Sequence, residues 1–151
     1  MPFVLLRAGP SASVSAEGQR GTGAVGHIRQ EVRVHQEVRV RAERAMTIRM
    51  LVDTGATFSV VPRRLARALG IRRPRRSVSV RLADGRRVRL GADVAIIRID
   101  GREAPATLLV GDVDEPILGV EALEALGLVV DPRKKRLSPS RPYAVRIGGY
   151  R

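Results

Sequence analysis

Apolar and charged residues alternate along much of this chain, and the alternation begins near Ile28. Val32 and Val34 are interleaved with Glu31 and Arg33, and Val38 and Val40 with Glu37 and Arg39. A period of two sends successive side chains to opposite faces, so it predicts half-buried strands. His35-Gln36 falls between the two pairs and is expected to form a turn or bulge. Ile48, Met50 and Val52 carry the alternation up to Asp53.

The period changes after Asp53. Pro62-Arg63-Arg64-Leu65-Ala66-Arg67-Ala68-Leu69-Gly70 predicts a short helix, with proline at its first position and glycine just past its end. Leu65, Ala66 and Leu69 form its apolar side. Arg72 to Arg76, broken by Pro74, reads as a charged connection. Two hairpin signals follow. Val78, Val80 and Leu82 lead to Asp84-Gly85, with Val88 and Leu90 beyond. Ile97 and Ile99 lead to Asp100-Gly101, with Ala104, Ala106, Leu108 and Val110 beyond. Asp-Gly between alternating runs favours a tight turn, because both residues tolerate positive φ. Pro116-Ile117-Leu118-Gly119 precedes a second helical stretch, Val120 to Leu126, closed by Gly127. Leu128-Val129-Val130-Asp131 and Leu137 read as a last hairpin around Arg133-Lys134-Lys135. Many short strands with two short helices define a mainly β fold, a small barrel or sandwich.

Composition narrows the choice. At 151 residues the chain suits one domain with a tail. With no Trp, two Phe and two Tyr, a core must come from Val, Leu, Ile and Ala. Without cysteine, disulfides and thiolate metal sites are excluded. No apolar run approaches the roughly 20 residues of a spanning helix; the expectation is no membrane and a cytoplasmic location. Residues 1–27 are rich in Gly, Ser and Ala without a sustained period. They are expected to be disordered or irregular, or to reflect an over-extended translation start. Phe3-Val4-Leu5-Leu6 is too short for a secretory core, and Arg7 interrupts it. Residues 28–138 form the expected domain and residues 139–151 a tail.

The chain carries 28 Lys plus Arg against 15 Asp plus Glu, a net charge of +13, with Lys134 and Lys135 its only lysines. Such charge raises nucleic acid as a partner. A GC-rich coding composition explains the same Arg, Ala, Gly and Val excess. The Arg63 to Arg76 cluster reads as a solvated face. It lacks the interleaved aromatics that stack bases, which disfavours nucleic acid. Asp93, Asp112, Asp114 and Glu115 read as solvated loop charges. His27 and His35 have no ligand partner at useful spacing, so no metal or other cofactor is expected.

Candidate chemistry concentrates at Leu51-Val52-Asp53-Thr54-Gly55-Ala56. The triplet Asp53-Thr54-Gly55 alone is weak, but its setting is specific. It follows the apolar Met50-Leu51-Val52 and leads to a second apolar segment, Ser59-Val60-Val61. A strand delivers a carboxylate to a fixed point. Gly55 permits a sharp turn, Ala56 leaves room for a substrate, and the Thr54 hydroxyl is free to bond across to another loop. With the hairpin tip Ala83-Asp84-Gly85, the second hairpin at Asp100-Gly101, and Ile117-Leu118-Gly119 before a helix, residues 30–137 resemble the retropepsin-like (clan AA) aspartic proteases. Leu82-Ala83-Asp84-Gly85 and Leu126-Gly127-Leu128-Val129-Val130-Asp131-Pro132 are most similar to the archaeal-type, single-domain branch.

The resemblance implies a closed β-barrel of the acid-protease type that works as a homodimer. Asp53 is the implied catalytic residue, in an active-site loop with Thr54, Gly55 and Ala56. Ala83, Asp84 and Gly85 are the implied flap over a peptide or protein substrate. Ile117, Leu118 and Gly119 are the implied support, packed beneath the Asp53 loop in a ψ-shaped arrangement. One triplet per chain implies a dyad completed by a second copy. Two departures stand out. Retroviral members carry an acidic residue four positions after the catalytic Asp, where this chain has Thr57. They pair it with an Arg directly after the apolar-apolar-Gly triplet, where this chain has Val120. Apolar or hydroxyl-based packing is expected to replace that pair. Two rival readings remain: a catalytically lapsed, peptide-binding dimer of the same fold, and a basic nucleic-acid-associated protein.

Overall fold

From Val34 to Val52 the alternation produces one hairpin. β2 (Val34–Arg41) and β3 (Ala45–Val52) pair antiparallel along their whole length, from Val34 opposite Val52 to Arg41 opposite Ala45. The structure, a computed structural model, describes residues 33–140 and the backbone of β1 (Val4–Leu6). The expected turn or bulge at His35-Gln36 is not there. These residues stand in register opposite Leu51 and Met50. Val34, Val38 and Val40 share one phase, so two polar residues between them leave the strand unbroken. Gln36 takes the core-side position, half-buried, and its amide donates to Glu37 O.

The next elements are β4 (Ser59–Val61) and α1 (Arg63–Ala68). Pro62 sits one position earlier than expected, as the N-cap, and Gly70 turns left-handed at φ +87° just past the helix end. β5 (Arg76–Leu82), β6 (Arg87–Ile99) and β7 (Arg102–Val110) follow. The two hairpin signals share β6, a single strand of 13 residues. It pairs with β5 over Arg87–Ala92 and with β7 over Gly91–Ile99. Along β6 the inward positions switch from Val88, Leu90 and Ala92 to Ala95, Ile97 and Ile99, because the two halves face different apolar clusters. The turns also differ. Asp100 and Gly101 are both left-handed, at φ 48° and 79°, the two-residue hairpin geometry. At the other tip only Gly85 is left-handed, at φ 92°. It follows a turn closed by its N–H on Leu82 O, a three-residue loop.

β8 (Ile117–Leu118), α2 (Val120–Leu126), β9 (Leu128–Asp131) and β10 (Arg136–Pro139) complete the chain as described. The last helix ends at Gly127, left-handed at φ 70°. β9 and β10 form their own hairpin, with the Asp131 carboxylate accepting from the N–H groups of Arg133 and Lys134. The main sheet runs β1-β5-β6-β2-β3-β8-β4-β7, and β7 also pairs with β6. The six strands from β6 to β7 therefore close into a ring, while β5 hangs outside it from β6. The fold is a mainly β closed barrel with two short helices. β1, inside the segment expected to be irregular, lies parallel to β5 along Val80–Leu82. The expectations for the rest of residues 1–32, His27 included, and for residues 141–151 lie outside the described residues.

The barrel interior is filled by aliphatic side chains, Met50, Leu69, Ile99, Leu108, Leu118 and Leu126 among the largest fully buried. A second cluster of Ala56, Val60, Val80, Ala92, Leu109 and Ile117 lies between the ring and the β5–β6 hairpin. No helix among the described residues is long and apolar enough to cross a membrane.

Candidate active site

β3 ends at Val52, and Asp53 is the first residue beyond it. β8 borders this end of β3. It runs parallel to β3, Leu51 opposite Ile117 and Val52 opposite Leu118, and antiparallel to β4 at Val60 opposite Ile117. Leu51 N–H donates to Pro116 O at 2.9 Å and Asp53 N–H to Leu118 O at 3.0 Å. The loop carrying Asp53 thus joins β3 and β4 while β8 passes between them.

The loop is also closed upon itself. Gly55 N–H donates to Asp53 Oδ1 at 2.8 Å, and Ala56 N–H to Asp53 O at 3.1 Å. A carboxylate bonded two residues on is the ordinary Asp turn, and it fixes one carboxylate oxygen. Asp53 is half-buried, Thr54 exposed and Ala56 buried. Ala56 anchors the loop in the second apolar cluster, with Phe58 packed beside it.

The loop rests on the N-terminus of α2. The first N–H groups of any helix lack partners within it. Here Val120 N–H donates to Ala56 O at 2.8 Å and Glu121 N–H to Thr57 O at 2.9 Å. Gly119 N–H donates to Ser59 Oγ at 3.0 Å, and Ser59 is the one polar residue buried among those described. A Cβ on Gly119 would meet the carbonyl carbon and oxygen of Phe58 at 2.6 Å and Ala56 O at 2.9 Å. Only glycine lets the helix start lie against the loop. Thr57 is exposed and Val120 half-buried, and the two elements are joined at these positions by backbone bonds, Val120 N–H to Ala56 O and Glu121 N–H to Thr57 O.

The hairpin tip Ala83-Asp84-Gly85 is exposed. Its stem is not. Val80 lies in the cluster of Ala56 and Ile117, and Val78, Leu82, Val88 and Leu90 pack against it. One apolar cluster thus holds the stem of the hairpin and the Asp53 loop together, and the tip projects beyond it. The Asp84 carboxylate accepts from Arg86 N–H at 2.9 Å and from Arg86 Nε at 2.7 Å. The backbone bond first, then the guanidinium, hold its pKa below the ordinary aspartate value.

Three further residues make contacts that the sequence reading did not assign to them. Ser59 is a lone small polar residue opening an apolar run, a signal that was present. Glu121 accepts from Thr107 N–H at 2.7 Å and the Thr107 hydroxyl at 2.9 Å, tying α2 to β7. Its partner is remote in sequence, so no local pattern announced it. Glu115, expected to be a solvated charge, pairs with Arg33 at 2.7 Å and approaches His35 Nε2 at 2.8 Å, from residues far earlier in the chain. Asp112 is exposed as expected but pairs with Arg63. Among the described residues no His, Asp and Glu side chains gather as a metal site.

Comparison with known families places this geometry in a class. Residues 38–125 match the family described as "gag-polyprotein putative aspartyl protease". The chain belongs to this family and is a retropepsin-like aspartic peptidase. Among solved structures it is similar to the EIAV protease complexed with the inhibitor HBY-793. The two share 25% identity over 68% of this chain and 95% of that one, with a TM-score of 0.52. The solution structure of the simian foamy virus (mac) protease also matches, at 20% identity over 61% of this chain and 93% of that one, with a TM-score of 0.45. No curated protein sequence matches.

Proposed function

We propose that this chain is a homodimeric aspartic endopeptidase whose catalytic residue is Asp53, paired with the Asp53 of a second copy. The observation that carries this reading is the clamp on the Asp53 loop. Leu118 O, Ser59 Oγ and the first N–H groups of α2 hold the loop at its base, while Thr54 stays exposed at its crest. A single carboxylate cannot act as both acid and base at once. A second, brought close by two-fold symmetry, supplies the other role. Two carboxylates about 3 Å apart cannot both ionise, so the pair shares one proton, as in aspartic proteases generally.

The ionised carboxylate takes a proton from a water lying between the two. The water oxygen attacks the peptide carbonyl carbon as the protonated carboxyl donates to the carbonyl oxygen. The C–N bond then breaks as the carboxyl that took the water's proton passes it to the amide nitrogen and the other carboxylate recovers a proton from the gem-diol hydroxyl, releasing an acid and an amine. No covalent acyl intermediate forms. The Thr54 hydroxyl of each copy bonds across to the other loop. The hairpin tip Ala83-Asp84-Gly85 closes over an extended peptide and excludes water.

Asp53→Asn tests this directly. The variant, still folded and dimeric, should lose cleavage of a mixed peptide library at acid pH. Persisting cleavage would refute the mechanism, and size-exclusion chromatography showing only monomer at assay concentration would refute the paired site. Retained peptide binding by a native chain that cuts nothing would identify the lapsed, peptide-binding alternative.

A further inference from the structure

A cleft of about 1560 Å³ opens between the β2–β3 hairpin tip, the 70–76 connection and the outer side of β5 and β6. Its lining includes Arg41, Arg44, Arg72, Arg73, Arg75 and Arg76. All six are exposed, and none has an ion pair or side-chain hydrogen bond among the described residues. Elsewhere on the surface, Arg33, Arg63, Arg86 and Arg98 each meet a carboxylate. Only two carboxylates, Glu43 and Asp93, line the cleft, and the Asp93 carboxylate already accepts from Val94 N–H. Six guanidinium groups around one concavity repel one another and focus a positive potential into it.

The walls are held in place by the backbone. Arg44 N–H donates to Leu69 O at 3.0 Å. A Cβ on Gly70 would meet Glu43 Cβ at 2.6 Å, and one on Gly91 would meet Pro74 Cγ at 2.5 Å. The hairpin tip therefore lies hard against the helix end, and the arginine-bearing connection hard against β6. The floor is apolar: Phe58, Ile71, Val78 and Ile96 lie between the arginines. Phe58 and Val78 also pack on the cluster that anchors Ala56 of the Asp53 loop.

We propose that this cleft binds an acidic segment of a polypeptide substrate, at a site separate from the one that holds the scissile bond. The inference rests on the peptidase reading for the identity of the ligand as polypeptide. Guanidinium groups match carboxylates in geometry as well as charge, and the apolar floor suits side chains interspersed among the acidic ones. A nucleic-acid backbone would use the arginines but leave the floor unfilled. Phe58, half-buried, is the only aromatic in the lining, so bases have no stacking platform.

The test separates this site from catalysis. Full-length Asp53→Asn protein is titrated into a fluorescein-labelled peptide of alternating glutamate and leucine, and anisotropy is read. The acidic peptide should bind, its glutamine counterpart should not, and Arg72→Gln/Arg75→Gln should weaken binding by about tenfold, as two exposed ion pairs permit. In the otherwise native chain the same double substitution should raise KM for a substrate with an acidic flank and leave kcat and neutral substrates unchanged. Equal binding of both peptides, or unchanged binding by the arginine variant, would overturn the proposal. So would duplex DNA displacing the peptide at lower concentration than unlabelled peptide does, which would make nucleic acid the occupant. Binding with these properties in a chain that cleaves nothing would leave the cleft standing and remove the peptidase reading instead.

Discussion

Gly119→Ala should damage catalysis more than its size suggests. Gly119 has φ −96° and ψ 178°, an extended conformation that alanine adopts without strain, so any effect is steric. The new Cβ would lie 2.6 Å from the carbonyl carbon and oxygen of Phe58, both backbone atoms. Reaching ordinary contact at 3.4 Å requires them to part by about 0.8 Å. No flexible side chain can yield. Either the Asp53 loop or the start of α2 must move. Adding a methyl group to a packed interior costs about 1–3 kcal/mol. The same displacement strains three bonds at the junction: Gly119 to Ser59, Val120 to Ala56 and Glu121 to Thr57. Each is worth about 1 kcal/mol net. The expected loss is about 2–4 kcal/mol of unfolding free energy, within the ~5–15 kcal/mol a domain holds. Misplacing a reacting group by about 1 Å costs about 10²-fold in rate, so kcat should fall by that order in protein that still folds. Urea denaturation and peptide cleavage, measured on the same preparation, check both. A variant within about 0.5 kcal/mol of the parent and cleaving at the parental rate would show that the loop does not depend on this contact.

Other perturbations probe the same assembly. Ser59→Ala removes the acceptor of the buried Gly119 N–H and should cost about 1–3 kcal/mol in chemical denaturation; a neutral result would mean that N–H finds another partner. Thr57→Ala should be silent, within about 0.5 kcal/mol and with parental activity, because exposed Thr57 serves through its carbonyl; a large loss would show its hydroxyl matters. The Asp84 carboxylate is stabilised as the anion, so its folded pKa lies below its unfolded one. Its contribution to the hairpin tip is present above the unfolded value and is lost as pH falls through the folded one. NMR titration should place the Asp84 midpoint below that of an ordinary aspartate, and Arg86→Ala should raise it. A midpoint at or above the ordinary value would refute the turn geometry.

The legible parts of the fold were those written in local pattern. Pro62 and Gly70 bracket α1, Gly119 and Gly127 bracket α2, and Asp100-Gly101 forms its two-residue turn. The errors share one cause. Periodicity reports which face a residue occupies but not whether a strand continues past polar positions. Polar His35-Gln36 suggests a turn or bulge, yet the valine phase runs through it and the pairing is unbroken. The two hairpin signals do not announce that they share one strand, because the inward face of β6 changes between Ala92 and Ala95. Pairings between distant residues were invisible for a different reason. Glu115 meets Arg33 because the segment before β8 returns to the start of the barrel, and Glu121 meets Thr107 because α2 packs on β7.

The missing retroviral pair makes sense in this light. A carboxylate and a guanidinium joining the loop to the helix would depend on two side chains being charged and ordered together. Here the junction uses main-chain donors that any sequence provides: the first N–H groups of α2, aimed at the carbonyls of Ala56 and Thr57. That solution needs close approach, and close approach needs Gly119 without a side chain. Substitution at Thr57 and Val120 is thereby released, while Gly119 and Ser59 become the constrained positions. In this chain the contact depends on Gly119, the glycine beneath the aspartate loop.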